Sequence, residues 1–131
     1  MRPKVAEVRG AGPISTPSTR IAAYEAALQE ASRFLAAGDA AAALSSLERA
    51  HVLGQTDFVR HLKVHLELLR IGWLIGDRRE IRGQVLRIGL TPIGHLSGRL
   101  PIGNTGRANV NAFEPMAVPA DLQLLLKDRH R

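Results

Sequence analysis

Apolar residues recur three and four positions apart through most of this chain, the spacing that stacks side chains on one face of a helix turning about 100° per residue. Ile21, Tyr24, Leu28, Ala31 and Leu35 share such a face, and Thr19 is a suitable N-cap, so a helix is predicted from Arg20 to Ala37. Gly38 ends it and Asp39 caps the next, Ala40 to Leu53. Gly54 closes that helix, Thr56 or Asp57 caps a third reaching about Ile75, and Gly76-Asp77 repeats the punctuation. A fourth helix follows from Arg78 to Leu90, where Pro92 argues against continuation. Helix, Gly-Asp, helix thus occurs twice, at a period a little longer than the roughly 34 residues of a tetratricopeptide repeat. The expected fold is all-α: two consecutive helical hairpins, tetratricopeptide-like or arranged as a small four-helix bundle.

The pattern changes beyond Thr91. Pro101 to Phe113 is rich in Gly and Asn, residues that tolerate left-handed backbone and form their own turns. Val110, Phe113, Met116 and Val118 give this long C-terminal loop apolar anchors, so it is expected to be ordered against the helices, and Pro119 can start a short final helix through Lys127. Met1 to Ser18 has prolines and glycines without helical periodicity and reads as a disordered or extended arm. The domain division is therefore an arm over 1–18 and a single helical domain over 19–131.

Ionisable residues break the apolar stripes. Ala40, Leu44 and Leu47 set the inner face of the second helix, and Glu48 and His51 fall within it. Phe58, Leu62, Leu68 and Leu69 set that of the third, and His61 and His65 fall within it, while Arg60, Lys63, Glu67 and Arg70 collect on the other side. Groups of this kind are costly to bury unless paired, hydrogen-bonded or bound to a metal. An antiparallel hairpin brings positions equidistant from its turn to one level, here His51 beside His61 and Glu48 beside His65. Glu-x-x-His and His-x-x-x-His both aim two donors at one point, as helical metal sites require. A paired di-iron site would need further carboxylates, whereas the fourth helix offers Gln84, so a mononuclear site is favoured. The metal ligands are then His51, His61, His65 and Glu48, with Glu48 alternatively a general base. Zinc or iron suits such donors best, and copper or nickel also suits them. The competing expectation is that the histidines are core hydrogen-bonding groups. Asn104, Arg107, Asn109 and Asn111 would lay their loop across the cluster. The Gly103–Gly106 turn could also cradle an anion through backbone N–H groups, although it lacks the lysine and spacing of a P-loop. His95 and His130 fall in exposed contexts and receive no role; Trp73 and Tyr24 sit on apolar faces and are assigned to the core.

Composition adds bounds. The 131 residues suffice for one modest core, with 45% hydrophobic and 4% aromatic residues. No apolar run spans a membrane, and no apolar segment follows Arg2 and Lys4 to make a secretory signal. Cysteine is absent, which removes thiolate ligands and fits a cytoplasmic protein. The net charge of +6 invites nucleic acid, but the arginines are dispersed and aromatic platforms are missing, so nucleic-acid binding is not expected.

Leu47-Glu48-Arg49-Ala50-His51-Val52-Leu53-Gly54-Gln55 and Gly103-Asn104-Thr105-Gly106-Arg107-Ala108-Asn109-Val110, with His61 and His65 between them, resemble a family of small bacterial proteins known as a domain of unknown function. The likeness covers about Arg20 to Leu126. It implies a bacterial, soluble, helical protein and carries no activity. The function expected from the residues is a small metal-binding protein, with metal-dependent catalysis left open. The alternative is a non-enzymatic interaction module whose tetratricopeptide-like hairpins present a groove to a protein partner. Gly72 and Gly83 also leave room for close packing in a homodimer.

Overall fold

The computed structural model describes residues 16–127, so all but the last three residues of the expected arm over 1–18, and His130, lie outside the described residues. Five helices follow in order: α1 (Thr16–Ala36), α2 (Ala40–Gly54), α3 (Phe58–Ile75), α4 (Arg78–Ser97) and α5 (Ala120–Lys127). Among the described residues there is no strand, and no helix is long and apolar enough to cross a membrane.

The Gly-Asp steps work as the spacing predicts. Asp39 Oδ1 accepts from the Ala42 amide at 3.0 Å and Asp77 Oδ1 from the Glu80 amide at 3.1 Å, each satisfying one of the amide donors left free at a helix start. Gly76 adopts φ +70°, the left-handed conformation that lets α3 stop and the chain reverse. Two boundaries differ from expectation. The first helix starts at Thr16 rather than Arg20, taking Pro17 into its opening turn, where a missing N–H is harmless. The fourth continues past Leu90 to Ser97 with Pro92 inside it. Pro92 removes one backbone bond to the turn before; the adjacent Thr91 hydroxyl donates to the Arg87 carbonyl at 2.7 Å.

Helices pack as successive neighbours: α1 on α2, α2 on α3, α3 on α4, with α5 laid across α1 and α2. Among the described residues α1 and α4 do not touch, so the helices form a ladder of hairpins rather than a closed ring. Tyr24, Leu44, Leu47, Leu53, Val64, Leu68, Ile71 and Leu122 lead the apolar core, to which α4 contributes none. Truncating a buried leucine such as Leu47 to alanine costs about 2–5 kcal/mol in a core of this kind. Arg20 ties the junction of three helices together: its Nη1 donates to the Leu53 carbonyl at 2.6 Å and its Nη2 to Asp57 Oδ2 at 2.9 Å.

The buried face of α3 is centred elsewhere than the sequence pattern suggests. His61, Val64, His65, Leu68, Ile71 and Gly72 form it, whereas Phe58 is 41% and Trp73 73% exposed. Trp73 therefore leaves the core to which its spacing assigns it, while Tyr24, 1% exposed, takes its place there. The rotation puts the histidines at the middle of the buried face. On α4 the polarity is reversed outright: Glu80, Gln84, Arg87 and Thr91 are buried, while Val85, Leu86, Ile93 and Leu96 face out.

Candidate metal centre

Three imidazoles meet where α2, α3 and the 98–119 loop converge. His51 comes from the last turn of α2, and His61 and His65 stand one turn apart on α3. His51 Nε2 lies 3.0 Å from His61 Nε2 and 3.2 Å from His65 Nε2, and the third edge, His61 to His65, is 3.1 Å. All three residues are buried, and the group could hold a metal ion.

The outer ring nitrogens decide what the inner ones offer. His51 Nδ1 is 2.6 Å from the Asn104 carbonyl, which only accepts, so Nδ1 carries the proton. His65 Nδ1 is 2.7 Å from Gln84 Oε1. Gln84 has its amide orientation set by its Nε2, which donates to Glu80 Oε1 and to the Gly106 carbonyl, both at 2.8 Å. His65 must therefore donate from Nδ1 as well. In their neutral forms both rings turn an Nε2 lone pair toward the centre, 3.2 Å apart with no proton between them. His61 Nδ1 pairs with His95 Nε2 at 2.9 Å, and whichever of those nitrogens carries the proton, the edge between His51 and His65 remains lone pair against lone pair.

Protonating a ring would relieve that contact, but the surroundings oppose it. Burial, then the neighbouring rings of His65 and His61, hold His51 well below the usual histidine range. Burial, followed by His65 and His95, lowers His61 to about 3. His65 falls to about 4, again chiefly through burial, with the bond to Gln84 working the other way. Burial lowers His95 too. The centre is thus a set of neutral imidazoles in which His51 and His65 have their outer protons committed to the Asn104 carbonyl and Gln84, as the hydrogen-bond partners of metal-ligating histidines do.

The loop is fastened to α2 by both sequence motifs at once. Gln55 Nε2 donates to the Pro101 carbonyl at 2.7 Å, and Gln55 Oε1 accepts from the Gly103 amide at 3.1 Å. One turn earlier on α2, His51 meets the Asn104 carbonyl. A turn before that, Glu48 Oε1 accepts from Arg107 Nη1 at 3.1 Å. Asn104 is 1% exposed and staples the loop internally: Nδ2 donates to the carbonyls of Asn111 and Glu114, each at 2.8 Å, and Oδ1 accepts from the Gly106 amide at 2.9 Å. Gly106, at φ +79°, lies so close that a Cβ there would stand 2.5 Å from His51 Cδ2.

The expected ligand Glu48 does not join the histidines. It lies on the same side of α2, but one turn away its neighbour is the loop, and Arg107 takes it up. Arg107 Nε also reaches Glu80 Oε1 at 3.1 Å, so one guanidinium holds a carboxylate from α2 and another from α4. Of the loop residues expected near the site, Asn104 touches it directly, Arg107 reaches it through Glu80 and Gln84, and Asn111 supplies a carbonyl to Asn104; Asn109 is exposed. His95, assigned no role from the sequence, is the partner of His61, and Glu80 and Gln84 are equally part of the arrangement. A signal for them exists: Glu80, Gln84, Arg87, Thr91 and His95 recur at helical spacing as a polar stripe. Ending the helix at Leu90 conceals it.

A cavity of about 240 Å³ adjoins all three imidazoles. Its walls are mostly apolar, from Leu90, Ile93, Leu100, Pro101, Ala112 and Phe113, with Arg87 and Arg99 among the polar contributors.

The chain belongs to the family described as protein of unknown function (DUF3703), which it matches over residues 18–126. No curated protein and no solved structure matches it.

Proposed function

We propose that this DUF3703 protein binds one divalent metal ion, zinc best of all, through Nε2 of His51, His61 and His65. The observation that carries the reading is the unprotonated contact between His51 and His65, two acceptors 3.2 Å apart whose other nitrogens are committed as donors. A shared cation would turn that contact between lone pairs into attraction and give His61 Nε2, 3.0 and 3.1 Å from the other two, the same point to meet. Nε2 of His51, His61 and His65 would hold the ion, and a zinc held by three protein donors would keep one coordination position for water or another ligand. Three protein donors and one open position are what catalytic zinc sites have, whereas structural sites are closed by four. Ferrous iron normally adds a carboxylate to its histidines, and Glu48 is held by Arg107 instead. An ion with an open position would supply Lewis acidity and a lowered pKa for bound water. The fold's part is to present buried, neutral donors, with the tautomers of His51 and His65 set by their hydrogen bonds.

Elemental analysis of protein purified without chelator, wild type beside His61→Ala, tests this. Near-stoichiometric metal in the wild type that disappears in the variant supports the site and names the ion. Absence of metal in both, with no uptake of zinc, iron or copper, would return the histidines to a structural role.

A second reading rests on a groove of about 540 Å³ between α1 and α3, lined in part by Glu25, Gln29, Arg33, Lys63, Glu67 and Arg70. Its mixed charges suit a polar peptide, and it shares no residue with the histidine cavity. Peptide capture there would survive His51→Ala, which separates the interaction role from metal binding.

A further inference from the structure

We infer that the metal-loaded centre takes, as its fourth ligand, a small carboxylate with an apolar body. This rests on the metal reading above and follows from charge, wall chemistry and size. Three neutral imidazoles leave the charge of a divalent ion uncompensated within its donor set. Neither Glu48 nor Glu80 stands in the cavity wall. The charge of Glu80 is felt at His65, but both carboxylates are engaged by Arg107, and Glu80 also accepts from Gln84 and from the Ala108 amide, so the offset is partial. The cavity wall adds the cationic side chains Arg87 and Arg99. A loaded site therefore presents positive potential at the buried floor of a half-open, largely apolar cavity, where an anion gains more than in bulk water.

The rest of the wall selects against polar bodies. Its hydroxyls are occupied, Thr91 Oγ1 donating to the Arg87 carbonyl at 2.7 Å and Ser97 Oγ to the Gly94 carbonyl at 3.3 Å. Arg87 spends its Nη1 on the Gly83 carbonyl and its Nη2 on the Val110 carbonyl. A sugar or nucleotide would find few partners for its hydroxyls here, and desolvating them without replacement is unfavourable. Leu90, Ile93, Leu100 and Phe113 instead accept an alkyl chain or ring. At about 240 Å³ the cavity is smaller than a typical drug-sized site, with room for roughly ten non-hydrogen atoms. Benzoate and hexanoate have the right head, body and size.

Cobalt(II) in place of zinc makes the test visible, because its absorption reports the ligands around a tetrahedral ion. The cobalt-loaded protein is titrated with benzoate, acetate and benzyl alcohol, and Gly94→Leu is titrated in parallel. Gly94 lies in the cavity wall, where a Cβ would meet Leu100 Cδ2 at 3.2 Å and no atom of His51, His61 or His65 within 4 Å, so a leucine adds bulk at the wall rather than directly at the ligands. The expected result is a spectral change with benzoate at a concentration at least tenfold below that needed with acetate, and none with benzyl alcohol. Gly94→Leu should keep its cobalt and lose the preference for benzoate. Cobalt uptake without any benzoate-dependent change, or a preference unaltered in Gly94→Leu, would overturn this inference and leave the metal site standing. Equal benzoate affinity in metal-free protein, measured by calorimetry, would overturn the fourth-ligand role. Failure to take up cobalt or zinc would overturn the metal site and this inference together.

Discussion

His51 and Asn104 are joined by a 2.6 Å hydrogen bond from an imidazole Nδ1 to a backbone carbonyl, across 53 residues of sequence. That bond sets the tautomer of the ring and at the same time fixes where the loop lies. Orientation of the donors and closure of the loop are consequently one event, and perturbing either is expected to disturb the other.

Asn104→Ala should show this coupling most directly. The substitution leaves the carbonyl that His51 uses but removes three side-chain bonds, to Asn111, Glu114 and Gly106. A loss of about 1–3 kcal/mol in chemical denaturation is expected from leaving buried groups unpaired. Metal affinity, by competition with a chromophoric chelator, should fall about 10–100-fold, the usual effect of a missing second-shell partner. Unchanged affinity would show that the loop does not orient the ring.

Gly106→Ala should damage the centre by steric means. Its φ of +79° disfavours any side chain, and the added methyl would press on His51 Cδ2 from 2.5 Å. Reduced metal affinity together with a lowered melting temperature is the expected outcome. Gly38 also has positive φ but nothing near its Cβ position, so Gly38→Ala is the control: it should lose some stability and keep full metal affinity.

Gln84→Leu acts on positioning and on stability together, since it also removes the donations to Glu80 and to the Gly106 carbonyl. It removes the acceptor of His65 Nδ1 while roughly preserving volume. Without that acceptor the ring can carry its proton on Nε2, and zinc affinity should drop about 10–100-fold. Gln84→Glu retains an acceptor and should recover part of the loss. Equal affinities in both variants would argue against tautomer control.

Glu48→Gln tests whether the carboxylate of α2 is needed by the metal. Since Arg107 holds it at 3.1 Å and retains Glu80, metal stoichiometry should not change. The ion pair is partly buried, Arg107 17% and Glu48 32% exposed, and its weakening should cost on the order of 1 kcal/mol of stability. Loss of metal in this variant would restore Glu48 as a ligand.

Acid should destabilise the metal-free protein through the histidines. His61 and His65 titrate in the fold at about 3 and about 4, below the ordinary 6.5 of the unfolded chain. The unfolded state therefore binds more protons between those values, and stability falls as pH drops below about 6.5. The slope approaches about 1.4 kcal/mol per pH unit for each ring that stays neutral in the fold, and flattens below the folded values. Denaturant titrations of chelator-treated protein from pH 8 to 4 should show this fall. His61→Ala should show a shallower one.

The hairpins and the three histidines were legible because helical spacing and Gly-Asp turns constrain them locally: a residue's distance from its turn places it along the partner helix. Glu48 obeys the same rule and was still misplaced. Spacing tells which way a side chain leaves α2, but not that a loop residue 59 positions later will reach it first. His95 was missed for a different reason, because Pro92 is tolerated inside α4 and the helix runs on to carry His95 toward His61. Trp73 failed as a core residue because α3 offers apolar groups on more than one side, and only packing chooses between them.

The reversed polarity of α4 has a consequence for local unfolding. A helix that contributes nothing to the apolar core packs on α3 and is otherwise held by directional bonds, from Glu80, Gln84 and Arg87 to the loop and from Gln84 and His95 to α3. Such bonds fail together when the loop lifts, since most share the loop as their other end. In amide hydrogen exchange, α4 and residues 101–119 should open as one unit at a lower free energy than α1 and α2, which share the apolar core. An ion bound at the centre should slow exchange in that unit selectively.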